Sequence, residues 1–219
     1  MRERKNKRPR GRRAFRVRYP CFSVILAKKP LTTPGRMITF QFEQNGCGVM
    51  QLRHFQGSEK PIIQKAVLIA EEATSDFFKL SPSHWRRARY DILTLEQLRQ
   101  EEISPSALAQ LAKYICMLPG RELKSAQFDL YRICLQDHNI LQTLEKESTL
   151  GLLPLLIYIV THELVHIVRF SHFQQLFEVS AAEREAEEQR VHALTWEILR
   201  PYRCPDVAEI AANYKNYHN

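Results

Sequence analysis

The chain has 219 residues, of which 44% are hydrophobic and 10% aromatic, and these values exclude an intrinsically disordered protein. The formal net charge is +8, but residues 1–18 hold ten Lys and Arg side chains against one acid, Glu3. The rest of the chain carries 22 basic and 23 acidic side chains. The positive charge therefore indicates nothing about the charge of an active cleft.

The basic N-terminal segment, residues 1–18, is predicted to be a disordered arm, because like charges repel one another and bury no apolar surface. Such an arm could bind nucleic acid or an anionic membrane surface by releasing counterions, without sequence specificity. An inert solubilising tail fits the composition equally well. Residues 19–219 are predicted to form a single domain, long enough to bury one substantial core.

The five cysteines are widely spaced, and none forms a Cys-x-x-Cys pair. This pattern argues against a cysteine-based metal knuckle and against a disulfide framework. Reduced thiols in a cytoplasmic protein are the simpler interpretation. The apolar stretch Leu152–Val160 is too short to span a bilayer, so no membrane span is expected.

Periodicity along the chain predicts an α+β fold. Alternating residues on each side of Asn45-Gly46, a pair that tolerates positive φ, indicate a β-hairpin over residues 37–55. The later elements, in chain order, are a helix over 60–80, a short strand over 90–95, a helix over 104–117 opened by Ser104-Pro105, a strand over 128–135, and helices over 151–170 and 179–199.

The strongest chemical signal is the run Thr161-His162-Glu163-Leu164-Val165-His166, which lies in an apolar helical stretch. Positions i and i+4 project from one face of a helix, so both imidazoles can reach a single ion. Glu163 lies next to that face, where its carboxylate can take a proton from a metal-activated water. A metal ion is the favoured interpretation, because buried imidazoles and carboxylates need partners.

This motif and its helical setting, roughly residues 128–199, resemble the HExxH zinc metallopeptidases, the zincins. The resemblance implies a small zincin-like domain, in which a short mixed sheet packs on the buried HExxH helix and a following helix supplies a glutamate. It also implies Zn²⁺ bound by His162 and His166, with Glu163 as the general base. The reaction would be hydrolysis of a peptide or amide carbonyl in a peptide or protein substrate. The strand before the metal helix in zincins usually pairs with the substrate at a sheet edge, which would give that role to residues 128–135. The alternative is that residues 128–135 form an ordinary core strand, and the sequence does not separate the two.

The third metal ligand decides which zincin branch the chain resembles. In the gluzincin branch it is a glutamate of the next helix, and Glu183-Arg184-Glu185-Ala186-Glu187 matches that register. Glu183 is then the ligand, and Glu187 is a supporting acid or an alternate ligand. Both share a helical stripe with apolar residues and are expected to point inward. Glu185 and Glu188 fall off that stripe and are expected in solvent.

His172 is the other alternate ligand. The spacing from His166 to His172 matches the metzincin branch, although that branch usually has Gly where Arg169 stands. Metzincins also place a Met-containing turn below the metal, and no Met follows Met117.

Two further questions remain open at this point. The group that would stabilise an oxyanion could be His192, Tyr131 or His138. The alternative function is a nucleic-acid- or partner-binding protein whose zinc is structural and catalytically silent. His172 or Glu187 would then close a four-coordinate site.

Overall fold

A computed structural model gives the architecture of the chain and describes residues 23–26, 52–117, 127–174 and 180–202. The predicted arm over residues 1–18 and most of the predicted hairpin lie outside the described residues. Residues 52–55, at the end of that hairpin, adopt irregular structure.

A mixed sheet forms one layer of the fold. Its strands are Ser23–Leu26 (β1), Arg89–Leu93 (β2), Ala109–Met117 (β3) and Gln127–Leu135 (β4). They lie in the order β1-β3-β4-β2. β3 and β4 are antiparallel, whereas β1 is parallel to β3 and β2 is parallel to β4. The inner strands of the described sheet are therefore β3 and β4.

The helices of the described residues are Lys60–Phe78 (α1), His84–Arg87 (α2), Asp137–Lys146 (α3), Leu152–Ser171 (α4) and Ala181–Leu199 (α5). α4 is apolar nearly all round, which is typical of a helix surrounded by protein. Every side chain from Pro154 to Phe170 is buried, and α4 contacts α1, α5, β3 and β4. Polar residues on α4 are therefore held in the core.

Within the described part of the chain, α4 is also the one helix long and apolar enough to cross a membrane. Of that stretch, 89% is buried inside the fold. A buried core helix has the same length and composition, so this observation is weak evidence for a span. The expectation of no membrane span stays a prediction.

The predicted α+β class and the mixed sheet are confirmed. Helices predicted over 60–80, 151–170 and 179–199 are present as α1, α4 and α5, each within two residues of the predicted ends. The two predicted strands after α1 are present as β2 and β4.

The helix predicted over 104–117 is wrong, because Ala109–Met117 forms strand β3. The Ser104-Pro105 signal is a turn, in which the Ser104 hydroxyl accepts hydrogen bonds from the next amides but no helix follows. Residues 109–112 are all buried. An inner strand of this kind lacks the alternation that identifies a half-exposed strand, so its apolar run was mistaken for a helix.

The expectation that residues 128–135 form a sheet edge is also wrong. β4 pairs with β3 along its whole length, and with β2 from Leu130 onwards. Over residues 130–134, both edges of β4 are therefore hydrogen-bonded to other strands. An extended substrate cannot pair with this part of the strand.

Helix α3 was not predicted, because the polar residues that follow β4 suggest a turn. Its first residue, Asp137, is buried. The Asp137 carboxylate accepts hydrogen bonds from the amide of Phe55 at 2.9 Å and from the amide of Leu95 at 3.0 Å. This polar segment therefore fastens two distant loops to the core.

Candidate metal centre

His162 and His166 come together on one face of α4. They are separated by one helical turn, and Nε2 of His166 lies 3.2 Å from Nε2 of His162. Both side chains are 0% exposed. The structure thus brings the two predicted imidazole ligands to one point in the core.

Glu188 of α5 brings a carboxylate to the same point. Its Oε2 lies 3.3 Å from Nε2 of His162, and its Oε1 lies 3.4 Å from Nε2 of His166. The side chain is only 14% exposed. The two Nε2 atoms and the Glu188 carboxylate form a triangle of potential metal ligands. Each of the three lies within hydrogen-bond distance of the other two.

While Glu188 is ionised, no arrangement of protons turns all three contacts of this triangle into hydrogen bonds. A contact between two Nε2 atoms is a hydrogen bond only if one ring carries a proton there and the other presents its lone pair. Both contacts with the carboxylate, however, require a proton on Nε2 of each ring. At least one of the three contacts is therefore unfavourable, and a single cation at the centre would satisfy all three groups.

The dimensions of the triangle suit a metal ion. Zinc binds His nitrogen and carboxylate oxygen at about 2.0–2.2 Å in tetrahedral geometry, which places neighbouring ligand atoms about 3.3 Å apart. His192 lies on the same side, because ligand atoms of His162, Glu188 and His192 are all within 4.8 Å of one another. This buried cluster could therefore hold a metal ion, and its mixed nitrogen and oxygen donors suit several divalent metals.

The surroundings favour the protonation states that a metal requires. Burial lowers the pKa of His162 to about 4, so its imidazole is neutral at neutral pH. Burial acts to raise the pKa of Glu188, but the imidazoles of His162 and His166 beside it outweigh burial and hold that pKa well below its usual range. Glu188 is therefore ionised and able to ligate.

Glu163 follows His162 on α4 and is 1% exposed. Its Oε1 has no hydrogen-bond partner within the part of the chain that the structure describes. Burial raises the pKa of this carboxyl to about 8, with His166 opposing the shift and the charge of Glu188 adding to it. A carboxyl group with such a pKa can gain and lose a proton near neutral pH, which general acid–base chemistry requires.

No protein-family model, curated protein or solved structure matches this chain.

Glu183, the predicted third ligand, does not lie at this centre. Its side chain is exposed, and its Oε2 accepts hydrogen bonds from the amide and the hydroxyl of Ser180, at 2.9 and 2.7 Å. The Ser180 hydroxyl accepts a hydrogen bond from the Glu183 amide in return. This reciprocal arrangement is a capping box, which the Ser-x-x-Glu spacing predicts at a helix N-terminus. The assignment of Glu183 is corrected, because the carboxylate beside the two imidazoles is that of Glu188.

Glu187, the first alternate, is buried but bonds to arginines. Arg169 donates from Nε to Oε1 and from Nη2 to Oε2, and Arg190 donates from Nη1 to Oε2. Both carboxylate oxygens are engaged, so Glu187 is not available as a ligand. Arg169, which in the sequence only disfavoured the metzincin branch, joins α4 to α5.

His172, the second alternate, is the exposed C-cap residue of α4. Its ring packs edge-on against His84 of α2, with ring centroids 5.5 Å apart. The structure therefore pairs His172 with α2 and does not bring it to the triangle.

The three candidates for an oxyanion-stabilising group lie in different places in the fold. His138 Nε2 lies 3.1 Å from the carbonyl oxygen of Ser104 and belongs to a structural turn. Tyr131 stacks on Phe170 with ring centroids 6.2 Å apart. His192 alone among them belongs to the buried cluster, with its Nδ1 2.7 Å from the hydroxyl of Tyr158.

The sequence pattern does not single out Glu188, because the apolar stripe that includes Glu183 and Glu187 covers only part of the face that α5 buries. The buried residues of α5 include Glu187, Val191, His192 and Thr195, a pattern that spans well over 100° of the helix surface. Glu188 lies inside that arc. A usable signal was present, since Glu188-x-x-x-His192 repeats the i, i+4 spacing of potential ligands found in the HExxH motif.

Proposed function

We propose that this protein is a zinc-dependent hydrolase that acts on a peptide or amide bond. The observation that supports it is the buried triangle of His162, His166 and Glu188, with the carboxyl group of Glu163 next to it in the chain. Three protein ligands are the number that catalytic zinc sites use, because the fourth position is left for water or substrate. The ligand set agrees with the gluzincin-like resemblance once Glu188 replaces Glu183.

Each residue then has a definite task. The two imidazoles and the Glu188 carboxylate hold the ion in the core. Bound zinc supplies Lewis acidity, which brings the pKa of water towards neutrality and polarises a carbonyl oxygen. Glu163 accepts a proton from the attacking water and delivers it to the leaving amine. A cation nearby lowers the pKa of Glu163, so its ionised, proton-accepting form is populated at neutral pH.

A second function has one observation in its favour, the position of His192. Its ring centroid lies 4.5 Å from that of His162, and it belongs to the cluster of potential ligands. A fourth protein ligand would close the coordination shell, as in structural zinc sites. The protein would then be a binding module, with residues 1–18 providing a charged surface for nucleic acid or a protein partner.

Metal content by mass spectrometry tests the site. We expect about one zinc ion per chain in the wild type, and loss of zinc in His162→Ala and in Glu188→Ala. Glu183→Ala is the matched control, because Glu183 lies on the same helix with an exposed carboxylate, and its zinc content should equal that of the wild type. A wild type without bound metal, or zinc lost in Glu183→Ala and kept in Glu188→Ala, would overturn this ligand assignment.

Hydrolysis of a quenched-fluorescent peptide library separates the enzyme from the binding module. We expect the zinc-loaded wild type to cleave, and Glu163→Gln to keep its zinc but lose cleavage by about 100-fold or more. Glu185→Gln, on the exposed face of α5, serves as the control for loss of a carboxylate. Equal activity in wild type and Glu163→Gln would remove Glu163 from the mechanism. A zinc-loaded wild type that cleaves nothing, yet binds nucleic acid until residues 1–18 are deleted, would favour the binding module.

A further inference from the structure

A separate cavity of about 670 Å³ lies at the C-terminal end of α4. It is bordered by α2, β3, β4 and the residues that end α4. The residues that line it include His84, Arg87, Lys113, Phe128, Tyr131 and Phe173. None of the metal-centre residues lines this cavity, so the two are separate.

His84 lines this cavity and contains a buried nitrogen atom that lacks a hydrogen-bond partner among the described residues. The side chain is 6% exposed, and the nitrogen is its Nε2. Buried polar atoms are nearly always paired with protein, water or a ligand. Burial lowers the pKa of His84, and the nearby His172 and Arg87 lower it further. A negatively charged group beside the ring would raise that pKa and accept a hydrogen bond from a protonated Nε2.

The charged side chains of the cavity also favour an anion. Arg87 and Lys113 contribute two positive charges and Asp129 one negative charge, which leaves a formal charge of +1 with both histidines neutral. Asp129 is engaged by Lys113, with Nζ 2.8 Å from Oδ2. Arg87 is exposed, and no ion pair to it is found among the described residues. Its guanidinium can therefore bind an incoming carboxylate in a two-point geometry.

The remaining walls are aromatic. Phe128, Tyr131 and Phe170 line the cavity, and Phe173 at its rim is 90% exposed. Phe173 has a φ of 55°, a left-handed conformation that glycine adopts freely and other residues adopt at a cost. The cap that ends α4 accounts for this φ, because the amides of Phe173 and Gln174 donate to the carbonyl oxygens of Phe170 and Arg169, at 3.1 and 2.9 Å. The cap leaves the Phe173 ring exposed beside the cavity, where it can contact a ligand.

A single side chain connects the cavity to the metal centre. The ring of Phe170 stacks on Tyr131 on the cavity side, at 6.2 Å between centroids. It also stacks on His166, at 6.1 Å with an angle of 20° between the planes. A group bound against Phe170 in the cavity would therefore lie one ring away from His166.

We propose that this cavity is a substrate subsite for an aromatic ring that carries a carboxylate, as at the C-terminal Phe or Tyr of a peptide. The carboxylate bonds to His84 and Arg87, and the ring packs against Phe128 and Phe173. The role in substrate choice rests on the proposed hydrolase function, whereas the binding itself does not.

Isothermal titration calorimetry with small probes tests the subsite. The probes are 3-phenylpropionate, its uncharged amide 3-phenylpropionamide, and phenyl phosphate. The amide is recovered after each titration to check that it has not been hydrolysed. We expect the acid to bind the wild type about tenfold more tightly than the amide, because charge-assisted hydrogen bonds are lost in the amide. Equal affinity for acid and amide would overturn the proposal. Phenyl phosphate binding about tenfold more tightly than the acid would replace the carboxylate with a phosphate.

Variants locate the binding groups. Arg87→Ala and His84→Asn should each weaken binding of the acid about tenfold and leave binding of the amide unchanged. Arg86→Ala is the matched control, since Arg86 is the neighbouring exposed arginine and does not line the cavity. Phe173→Gly should weaken both probes while thermal stability is kept or raised, because glycine relieves the positive φ. Unchanged affinities in Arg87→Ala and Phe173→Gly would refute this location.

The two proposals fail in distinguishable ways. Tight binding of 3-phenylpropionate by a protein that holds no zinc would keep the subsite and reject the hydrolase. Zinc-dependent cleavage with no preference for the acid over the amide would keep the hydrolase and reject the subsite. If both hold, peptides ending in a free C-terminal Phe should be cleaved with about tenfold higher kcat/KM than the same peptides ending in an amide.

Discussion

Arg169 and Glu187 form a two-point ion pair between α4 and α5. Arg169 Nη2 donates to Glu187 Oε2 at 3.1 Å, and Arg169 Nε donates to Glu187 Oε1. Arg169 lies one turn after His166, and Glu187 immediately precedes Glu188. The pair therefore fixes the two helices beside the point at which His166 and Glu188 meet.

Arg169→Lys should weaken zinc affinity while the fold is kept. A lysine retains the positive charge but cannot make the paired hydrogen bonds of a guanidinium. The register of Glu188 against the two histidines is then less well held. Loss of groups that orient metal ligands typically costs 10- to 100-fold in affinity, and competition with a zinc-binding dye measures it. Arg190→Ala is the control, since Arg190 bonds to the same glutamate but is 55% exposed. Equal losses in the two variants would show that the pair does not position Glu188.

His192 distinguishes the catalytic site from the structural one. If His192 stands beside an open metal site, His192→Ala keeps zinc and lowers kcat, because a hydrogen-bonding group near the reacting carbonyl is lost. If His192 closes the coordination shell, His192→Ala loses zinc, and the wild type itself shows no cleavage because no position is open for water. Zinc content and cleavage measured on the same sample decide between them. Tyr158→Phe removes the hydroxyl 2.7 Å from His192 Nδ1. It should change zinc content and kcat in the same direction as His192→Ala, but by a smaller amount.

The sequence predicted the parts of the site that lie within one helix. The spacing of His162 and His166 follows from helical geometry alone, so the shared direction of their rings could be foreseen. The partner from α5 could not, because its rotation depends on how that helix packs on α4. Arg169 and Glu187 fix that rotation through a contact between residues 18 positions apart. Local periodicity carries no information about such a contact.

The fold shows the same division. α4 and α1 were predicted because their apolar patterns are long and helical, whereas β3 was not, because a strand buried on both faces looks like any short apolar run. Its assignment depends on β1 and β4 lying on either side. The capping box of Ser180 and Glu183 was a local signal that was present and misread as a ligand register.

Asp137→Ala should destabilise the fold by about 2–5 kcal/mol. The Asp137 carboxylate holds the buried amides of Phe55 and Leu95, and each amide left without a partner costs about 1–3 kcal/mol. Urea unfolding followed by circular dichroism measures the change. Asp76→Ala removes an exposed carboxylate from α1 and should change stability by less than about 0.5 kcal/mol. A similar effect in both variants would show that Asp137 does not anchor these loops.

The metal-free protein should lose stability as the pH rises above about 6.5. Glu163 has a pKa of about 8 in the fold and about 4.3 when unfolded. Between these values the folded state holds a proton that the unfolded state has released, so rising pH favours unfolding. His162, with its pKa lowered to about 4, has the opposite effect, but only below its unfolded value of about 6.5. Above that pH the effect of Glu163 is no longer offset.

The expected loss between about pH 6.5 and pH 8 is on the order of 2 kcal/mol, since one pKa unit corresponds to about 1.4 kcal/mol. Urea unfolding of protein dialysed against a chelator measures it. Glu163→Gln should abolish this slope, because glutamine does not titrate, and zinc should reduce it in the wild type, because a cation keeps the carboxylate ionised. An identical slope in wild type and Glu163→Gln would show that Glu163 is not the buried acid.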